Sequence, residues 1–417
     1  MPGEMRIVLR NQGQVDPFKI EDYMARGGYQ ALKKARAMKR NDLISEVRES
    51  KLRGRGGAGF NCGQKWFFAA SAENTEKYVV CNADEGEPGT YKDRIIIQHD
   101  PHSLIEGMLI CAYAINGSKG YIYLRGEYSY LGQVLNHAIA QASDHGLLDG
   151  FDLTVRRGAG AYVCGEETAL IESLEGKRGE PRYKPPFPPV QGLWGKPTIV
   201  NNVETLANIP VIVEKGAQWF SAIGAPNYPG TKLFTLTGDV NRKTFFEVPS
   251  NTTIRDLVFK YGEGIPGGKR LKAVQIGGNS GAFIPENLLD TQVDFDSMNK
   301  AGLTLGSGAV LVMDETRDIL DVITRIEAFF EHESCGKCTP CREGTPRLVG
   351  LLEKIRKGDG SHFDLDLMQK LGRIMSRSSL CGLGMAAPVP LLTAIQHFPN
   401  AFEAKVSKKT SEEGSPW

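Results

Sequence analysis

Leu43, Ile44 and Val47 recur on one side of a helix that Asn41 or Asp42 can cap, and that helix runs into a glycine cluster at 54 to 59. Beyond it, strand-like runs at 77 to 83, 120 to 126 and 151 to 157 alternate with helical patterns at 101 to 116 and 131 to 145. That alternation predicts an α/β domain with a partly parallel sheet. The proline-rich stretch 180 to 197 predicts a long ordered loop. After a Pro/Gly break at Ala225 come LFTLTGDV and TFFEVP, a helix opened by Thr252 or Thr253, then LKAVQIGG and GAVLVMDE. Two strands, a helix and two strands predict a small β-grasp-like (ubiquitin-like) domain. Past Asp318 the apolar period becomes helical at Ile319, Val322, Ile323, Ile326 and Phe330, at Leu348, Leu351, Leu352 and Ile355, and at Met368, Leu371 and Met375. A C-terminal α-helical bundle is expected there. The boundaries are thus 1–225, 226–317 and 318–417, ending in a polar tail, SKKTSEEGSPW, expected to fray.

Three domains agree with a chain of 417 residues. With 50 basic against 49 acidic residues, net charge argues for neither nucleic acid nor an anionic membrane surface. The basic stretch Lys33, Lys34, Arg36, Lys39 and Arg40 reads first as a solvated helix face, with a docking surface as the alternative. No apolar run approaches a membrane span, and the first residues have no signal-peptide or transit-peptide character. A soluble protein that stays inside the cell, without direct membrane insertion, is the expectation.

Cysteine usage adds chemistry. ESCGKCTPCREGT places Cys335, Cys338 and Cys341 at C-x2-C-x2-C spacing, and Cys381 follows in SLCGLGMAAP. Three thiolates at that pitch reach three irons of one cubane, whereas zinc sites usually draw on two separated C-x2-C pairs. A 4Fe-4S cluster on these four cysteines is the leading reading and a structural zinc the alternative. Gly336 and Pro340 are expected to favour a turn there, and Lys337 and Arg342 to raise the cluster's potential. Cys62, Cys81, Cys111 and Cys164 stand singly and read as small apolar packing.

GRGGAG at 54 to 59 matches G-x-G-x-x-G but follows a helix, so an ordinary dinucleotide fold is not expected; a glycine loop approaching a cofactor is. Phe60, Lys65, Trp66 and Phe67 supply aromatic faces beside a cation. After the strand at 77 to 83, Asn82, Asp84, Glu85 and Glu87 gather at a C-terminal strand edge, where α/β sheets bind ligands; they suit ribityl and ribose hydroxyls, with calcium as the runner-up. Gly158, Gly160 and Gly165 precede a helix whose first turn holds Glu166 and Glu167. Asn201, Asn202 and Thr205 mark another expected helix start suited to a phosphate.

Together GRGGAGF, NADEGEPGT, GAGAYVCGEETAL, KPPFPP, NNVETL, ESCGKCTPCREGT and LCGLG resemble the NADH-binding flavoprotein subunit of respiratory complex I, and related diaphorase subunits of NAD-linked hydrogenases and formate dehydrogenases. The resemblance covers roughly residues 20 to 400. It implies an FMN-binding α/β domain, a β-grasp domain and a helical bundle with one 4Fe-4S cluster. It implies FMN contacts from Gly54, Gly56, Gly57, Lys65, Asn82, Asp84, Glu85, Tyr162, Gly165, Glu166, Asn201, Asn202 and Thr205. NADH would meet Phe60, Phe67, Glu87, Glu167, Lys184 and Phe187. Where many relatives read Pro-Thr, this chain has Asn61 and Cys62, which leaves the loop shape open and makes Cys62 a candidate oxidation-sensitive thiol.

The implied activity is NADH oxidation by hydride transfer to FMN, with electrons passed singly to the cluster, as the input subunit of an NADH:quinone oxidoreductase. Phe60 and Phe67 would hold the adenine, Glu87 would set the nicotinamide, and Lys65 would stabilise negative charge on the ring. A hydrogenase or formate-dehydrogenase diaphorase is the alternative, and a zinc-bound, non-enzymatic binding module is the reading from another class. The absence of fused ferredoxin-like or thioredoxin-like segments favours complex I. The implied partners are a thioredoxin-like 2Fe-2S subunit and a larger iron-sulfur subunit of a peripheral arm, in the cytoplasm at the inner membrane, or on the matrix side in a eukaryote.

Overall fold

The computed structural model describes residues 3–74 and 76–406; most of the polar tail, from 407, lies outside the described residues. The first sheet has four parallel strands in the order β3-β2-β1-β4: β1 Tyr78–Ala83, β2 Lys119–Leu124, β3 Asp152–Arg157 and β4 Thr198–Asn202. Its alternation sorts side chains onto two faces. Val79, Cys81, Ala83 and Ile199 enter the core shared with helices Pro101–Ile115 and Val203–Lys215, whereas Tyr78, Val80 and Val200 face a second core. That second core also contains Leu170 and Phe330, so this face of the sheet is continuous with the C-terminal helices. Helix Pro101–Ile115 is buried on nearly every side, with Pro101 in its first turn and Asp100 accepting from the Ser103 N–H.

Three of the four strands match the expected runs within a residue or so. β4 departs from expectation: residues 199 to 202 are the last strand, and the helix begins only at Val203, capped by the Asn202 side chain. Pairing of Cys81 with Asn201 and of Asn82 with Asn202 aligns the C-terminal ends of β1 and β4. Asparagines from both strands therefore reach the same edge.

The short strands β5 Gly224–Ala225 and β6 Tyr228–Pro229 form a small ribbon. A mixed five-stranded sheet follows in the order β10-β9-β11-β7-β8, built from β7 Thr231–Gly238, β8 Thr244–Pro249, β9 Leu271–Ile276, β10 Ala282–Ile284 and β11 Ala309–Asp314. The three-residue β10 was not anticipated, being too short to show a period. The expected helix after Thr252 and Thr253 is brief and continues as the wide turn Asp256–Tyr261.

Helices Ile319–Glu333, Thr339–Arg356, His362–Ser378, Gly382–Ala386, Val389–His397 and Pro399–Glu403 complete the described chain. Ile323, Phe330, Leu348, Leu352, Ile355, Met368 and Met375 are fully buried, as their spacing required. Pro340 does not make a turn: it occupies the first turn of Thr339–Arg356, where its missing N–H costs no hydrogen bond, so Cys341 is helical. Among the described residues no helix is long and apolar enough to cross a membrane.

Candidate functional site

The glycine loop closes on itself before the next helix starts. Gly54 donates to the Phe60 carbonyl at 2.8 Å, Arg53 Nε donates to the Gly59 carbonyl at 2.6 Å, and the Cys62 N–H reaches Leu52 O at 2.8 Å. The Asn61 side chain then accepts from the Gln64 N–H, so the departure at 61 supplies a helix cap for Cys62–Ser71. Cys62 is buried, and burial, opposed by the Lys65 charge, pushes its thiol up to about 12. It is protonated and inert, contrary to the oxidation-sensitive role considered for it.

The loop lies against the C-terminal edge of the parallel sheet. The Arg55 N–H donates to Thr205 Oγ1 at 2.8 Å, and a Cβ on Gly56 would stand 3.0 Å from that of Asn202. Gly57, at φ +122°, is in a conformation that favours glycine. Asn202 spans Lys92, Asp93 and the Glu204 N–H, while Asn201 accepts from Trp66 Nε1 at 3.0 Å. These asparagines brace the edge.

Across the loop, Lys65 Nζ lies 2.6 Å from Glu167 Oε2 and 2.8 Å from Val200 O, and Lys184 stands 3.8 Å from the other oxygen of Glu167. Burial pushes the Glu167 carboxyl up, but Lys65 and then Lys184 outweigh it, and the group lies below the usual carboxylate range. Glu166 caps its helix through the Thr168 and Ala169 N–H groups and pairs with Lys184 at 2.9 Å. Asn82 Nδ2 donates to Gly165 O at 2.8 Å, tying the end of β1 to this helix start.

The acidic loop after β1 divides its work. Glu85 is buried and accepts from the Asp93 and Arg94 N–H groups, bracing helix Lys92–His99. Glu87 accepts from Tyr162 OH at 2.7 Å and from the Ser280 N–H and hydroxyl, so it joins the α/β domain to the five-stranded sheet. Asp84 Oδ2 is buried with no partner among the described residues.

The aromatic residues separate by helical geometry. Gly63 and Phe67, one turn apart, both face helix Arg40–Glu49: a Cβ on Gly63 would fall 2.3 Å from the Arg48 nitrogen, and the Arg48 guanidinium lies 5.9 Å over the Phe67 ring. Phe68 shares the face of Lys65 at i+3 and is 43% exposed. Sequence reasoning passed over Phe68, although the spacing from Lys65 could have found it. Phe60 is exposed and lines an open cleft of about 380 Å³ with Lys51, Arg53 and Asn227. Phe187 is also exposed, on the proline-rich loop that contains Lys184.

The thiols gather elsewhere. Cys335, Cys338, Cys341 and Cys381 belong to one apolar cluster, and each of the other three bears electrostatically on Cys341. Cys338 caps Thr339–Arg356, Cys381 caps Gly382–Ala386, and the Leu380 N–H points at Cys338 Sγ at 3.5 Å. Gly336, at φ +76°, turns the chain between the first two thiols. Lys337 is paired to Glu180 at 3.0 Å, which offsets part of the charge expected to act on a cluster. Among the described residues no three His, Cys, Asp or Glu side chains lie close enough to hold a single metal ion. A cubane, each of whose irons takes one thiolate, spreads its ligands farther than a tetrahedral zinc with Zn–S of about 2.3 Å. The thiols therefore fit a cluster, and the glycine loop with the unpartnered Asp84 oxygen and the Lys65–Glu167 pair fits a phosphorylated, hydroxyl-rich flavin.

Residues 47–211 match the Nuo51 FMN-binding domain, and residues 321–405 match the NADH-ubiquinone oxidoreductase-F iron-sulfur binding region. The chain is 47% identical over 412 residues to an F-type NADH-quinone oxidoreductase component of Rhizobium meliloti, covering 97% of this chain and 98% of that protein. It is 46% identical to the NADP-reducing hydrogenase subunit HndC of Solidesulfovibrio fructosivorans, covering 97% of this chain and 84% of that protein. It is also similar in structure to an NAD+-reducing NiFe-hydrogenase in the H2-reduced state, with TM-score 0.82 and 40% identity, covering 89% of this chain and 63% of that one. The chain thus belongs to the NADH-quinone oxidoreductase-F family, whose members are flavoproteins that oxidise NADH through FMN and a 4Fe-4S cluster.

Proposed function

We propose that residues 1–225 form the FMN- and NADH-binding domain, residues 226–317 a β-grasp-like domain, and residues 318–417 a helical bundle that holds the cluster on Cys335, Cys338, Cys341 and Cys381. The observation that carries the reading is the Lys65–Glu167 pair at 2.6 Å: 102 positions apart in sequence, it joins the helix after the glycine loop to the helix after Gly165 around one space. A bound flavin accepts a hydride and returns electrons one at a time, which links a two-electron donor to a one-electron cluster.

The chain's own groups set the geometry. Gly54, Gly56 and Gly57 let backbone approach the FMN phosphate, and Asn82, Asp84 and Gly165 with Tyr162 line the ring side. Glu85, Glu166, Asn201, Asn202 and Thr205 hold that wall in place through the bonds described above. Lys65 supplies positive charge beside the ring, and Glu87 orients the nicotinamide from the joint between two domains. Glu167, Lys184 and Phe187 face the nucleotide. Phe60 and Phe68, in place of Phe67, stack on the adenine.

Replacing Phe68 by alanine removes a stacking surface worth roughly 1 to 3 kcal/mol, so KM for NADH rises about tenfold with kcat little changed. Phe67→Ala lowers the melting temperature through lost helix packing and leaves KM in place. Steady-state kinetics and melting curves on both variants decide between them; the reverse pattern assigns the stacking to Phe67.

We further infer that the chain is the electron-input subunit of a complex I type assembly, docking a thioredoxin-like 2Fe-2S subunit and a larger iron-sulfur subunit at the cytoplasmic or matrix face of the membrane. The relatives named as subunits of NADH-quinone oxidoreductases support this, and the hydrogenase relatives support a diaphorase role as the second reading.

A further inference from the structure

Beside the joint made by Glu87 and Tyr162 lies a cavity of about 340 Å³ whose walls carry Asp84, Arg125, Glu127 and Glu333. Three carboxylates after β1 border the site, and their bonding separates them. Both oxygens of Glu85 are taken by backbone N–H groups, and both oxygens of Glu87 by Tyr162 and Ser280. Asp84 is different: the residue is 9% exposed, its Oδ2 has no partner among the described residues, and it lines the cavity. It also borders the cofactor side, since a Cβ on Gly165 would lie 3.5 Å from the Asp84 carbonyl and 4.0 Å from Oδ2.

NADH oxidation at a flavin leaves a proton to be removed. Each hydride brings one proton and two electrons, and the electrons leave singly to the cluster and its one-electron acceptor. For every NADH oxidised, one N–H bond on the reduced ring must break and its proton must reach water.

We propose that the Asp84 carboxylate takes this proton, forming a carboxyl O–H as the N–H bond breaks, and passes it to solvent through the cavity walled by Arg125, Glu127 and Glu333. The proposal rests on the flavin reading given above. Burial raises the Asp84 carboxyl, Arg125 opposes this and Glu127 and Glu333 add to it, leaving it at about 7, where a group both accepts and releases protons. Tyr123 of β2 and Cys164 of the turn Tyr162–Gly165 are the other titratable groups that interact with it, and both are raised above their ordinary values. Both therefore stay neutral near pH 7.

The test is stopped-flow reoxidation of the NADH-reduced holoprotein by ferricyanide from pH 5.5 to 8.5, in H2O and D2O, reading flavin absorbance. The unmodified protein should reoxidise faster as pH rises through about 7, because only the ionised carboxylate accepts, and should show a solvent isotope effect. Asp84→Asn should be slower by about 100-fold at pH 8 and flat with pH, and Asp84→Glu should restore the slope. Glu127→Gln removes a neighbouring negative charge and frees the Arg125 charge, and both changes move the midpoint to lower pH. An infrared pH-difference spectrum should lose one protonated-carboxyl component in Asp84→Asn. If Asp84→Asn does not take up FMN, the Glu127→Gln midpoint decides alone. An unmoved midpoint in Glu127→Gln, or an unchanged profile in loaded Asp84→Asn, overturns the proton assignment. Failure of NADH to bleach the flavin of the unmodified protein overturns the underlying flavin reading as well.

Discussion

Replacing Cys381 by alanine is expected to abolish the 4Fe-4S signal while FMN stays bound and NADH still bleaches it. Three thiols, Cys335, Cys338 and Cys341, come from one turn and the helix after it, and they leave one iron of a cubane without a protein ligand. Cys381 arrives from a different helix cap yet lies in the same apolar cluster, within electrostatic reach of Cys335 and Cys341. It is 8% exposed, so water reaches the space left by its removal poorly, and a three-iron or empty site results. The FMN wall stays intact, because the Lys65–Glu167 pair and the Asn82–Gly165 bond involve no residue of the C-terminal helices. Electron exit to a one-electron acceptor that docks at the cluster should fall by at least about 100-fold, the scale of losing an essential catalytic group. EPR of the dithionite-reduced variant checks this. An unchanged 4Fe-4S spectrum means that another residue ligates the fourth iron.

Glu167→Gln is expected to cut discrimination against NADPH at least tenfold, about 1.4 kcal/mol. The unmodified carboxylate is held ionised by Lys65 and Lys184. A 2′-phosphate brought against it meets like charge in a partly desolvated site, which costs on the order of several kcal/mol, whereas the hydrogen bond lost with NADH is worth roughly 1.5 to 3. Repulsion therefore dominates the preference. Glutamine keeps the shape and an acceptor for Lys65 but removes the charge, so two lysines then face the phosphate uncompensated. NADH efficiency should fall modestly while the ratio of kcat/KM for the two nucleotides contracts. The test bears directly on this family, since one relative of 46% identity is named as NADP-reducing. An unaltered ratio makes Glu167 a structural partner of Lys65 and places selectivity elsewhere.

The sequence made some levels of this architecture legible and hid others. Strand β1 and its acidic loop were readable because a run of apolar residues ends abruptly at Asn82, and the C-terminal helices because their apolar positions recur every three or four residues. β4 was not, because Thr198–Asn202 is five residues long and its asparagines read equally well as a helix start. The assignment of Phe67 failed for a different reason: an aromatic pair shows no direction until Gly63 fixes which face meets Arg48. Pro340 looked like a turn residue because its place relative to the helix start was unknown. The separate duties of Glu85, Glu87 and Asp84 depend on Asp93, Ser280 and Glu333. Ser280 alone stands 193 positions from Glu87, and no local pattern announces so distant a partner.

The central claim, that this chain moves electrons from NADH through FMN to its own cluster, is tested most directly by an anaerobic NADH titration of the purified protein with visible absorption and EPR followed together. The predicted result is bleaching of the flavin bands by about one NADH per FMN, with a reduced 4Fe-4S signal appearing in the unmodified protein and missing from Cys381→Ala. A cluster signal that appears without flavin bleaching, or FMN-loaded protein that does not respond to NADH, would contradict it.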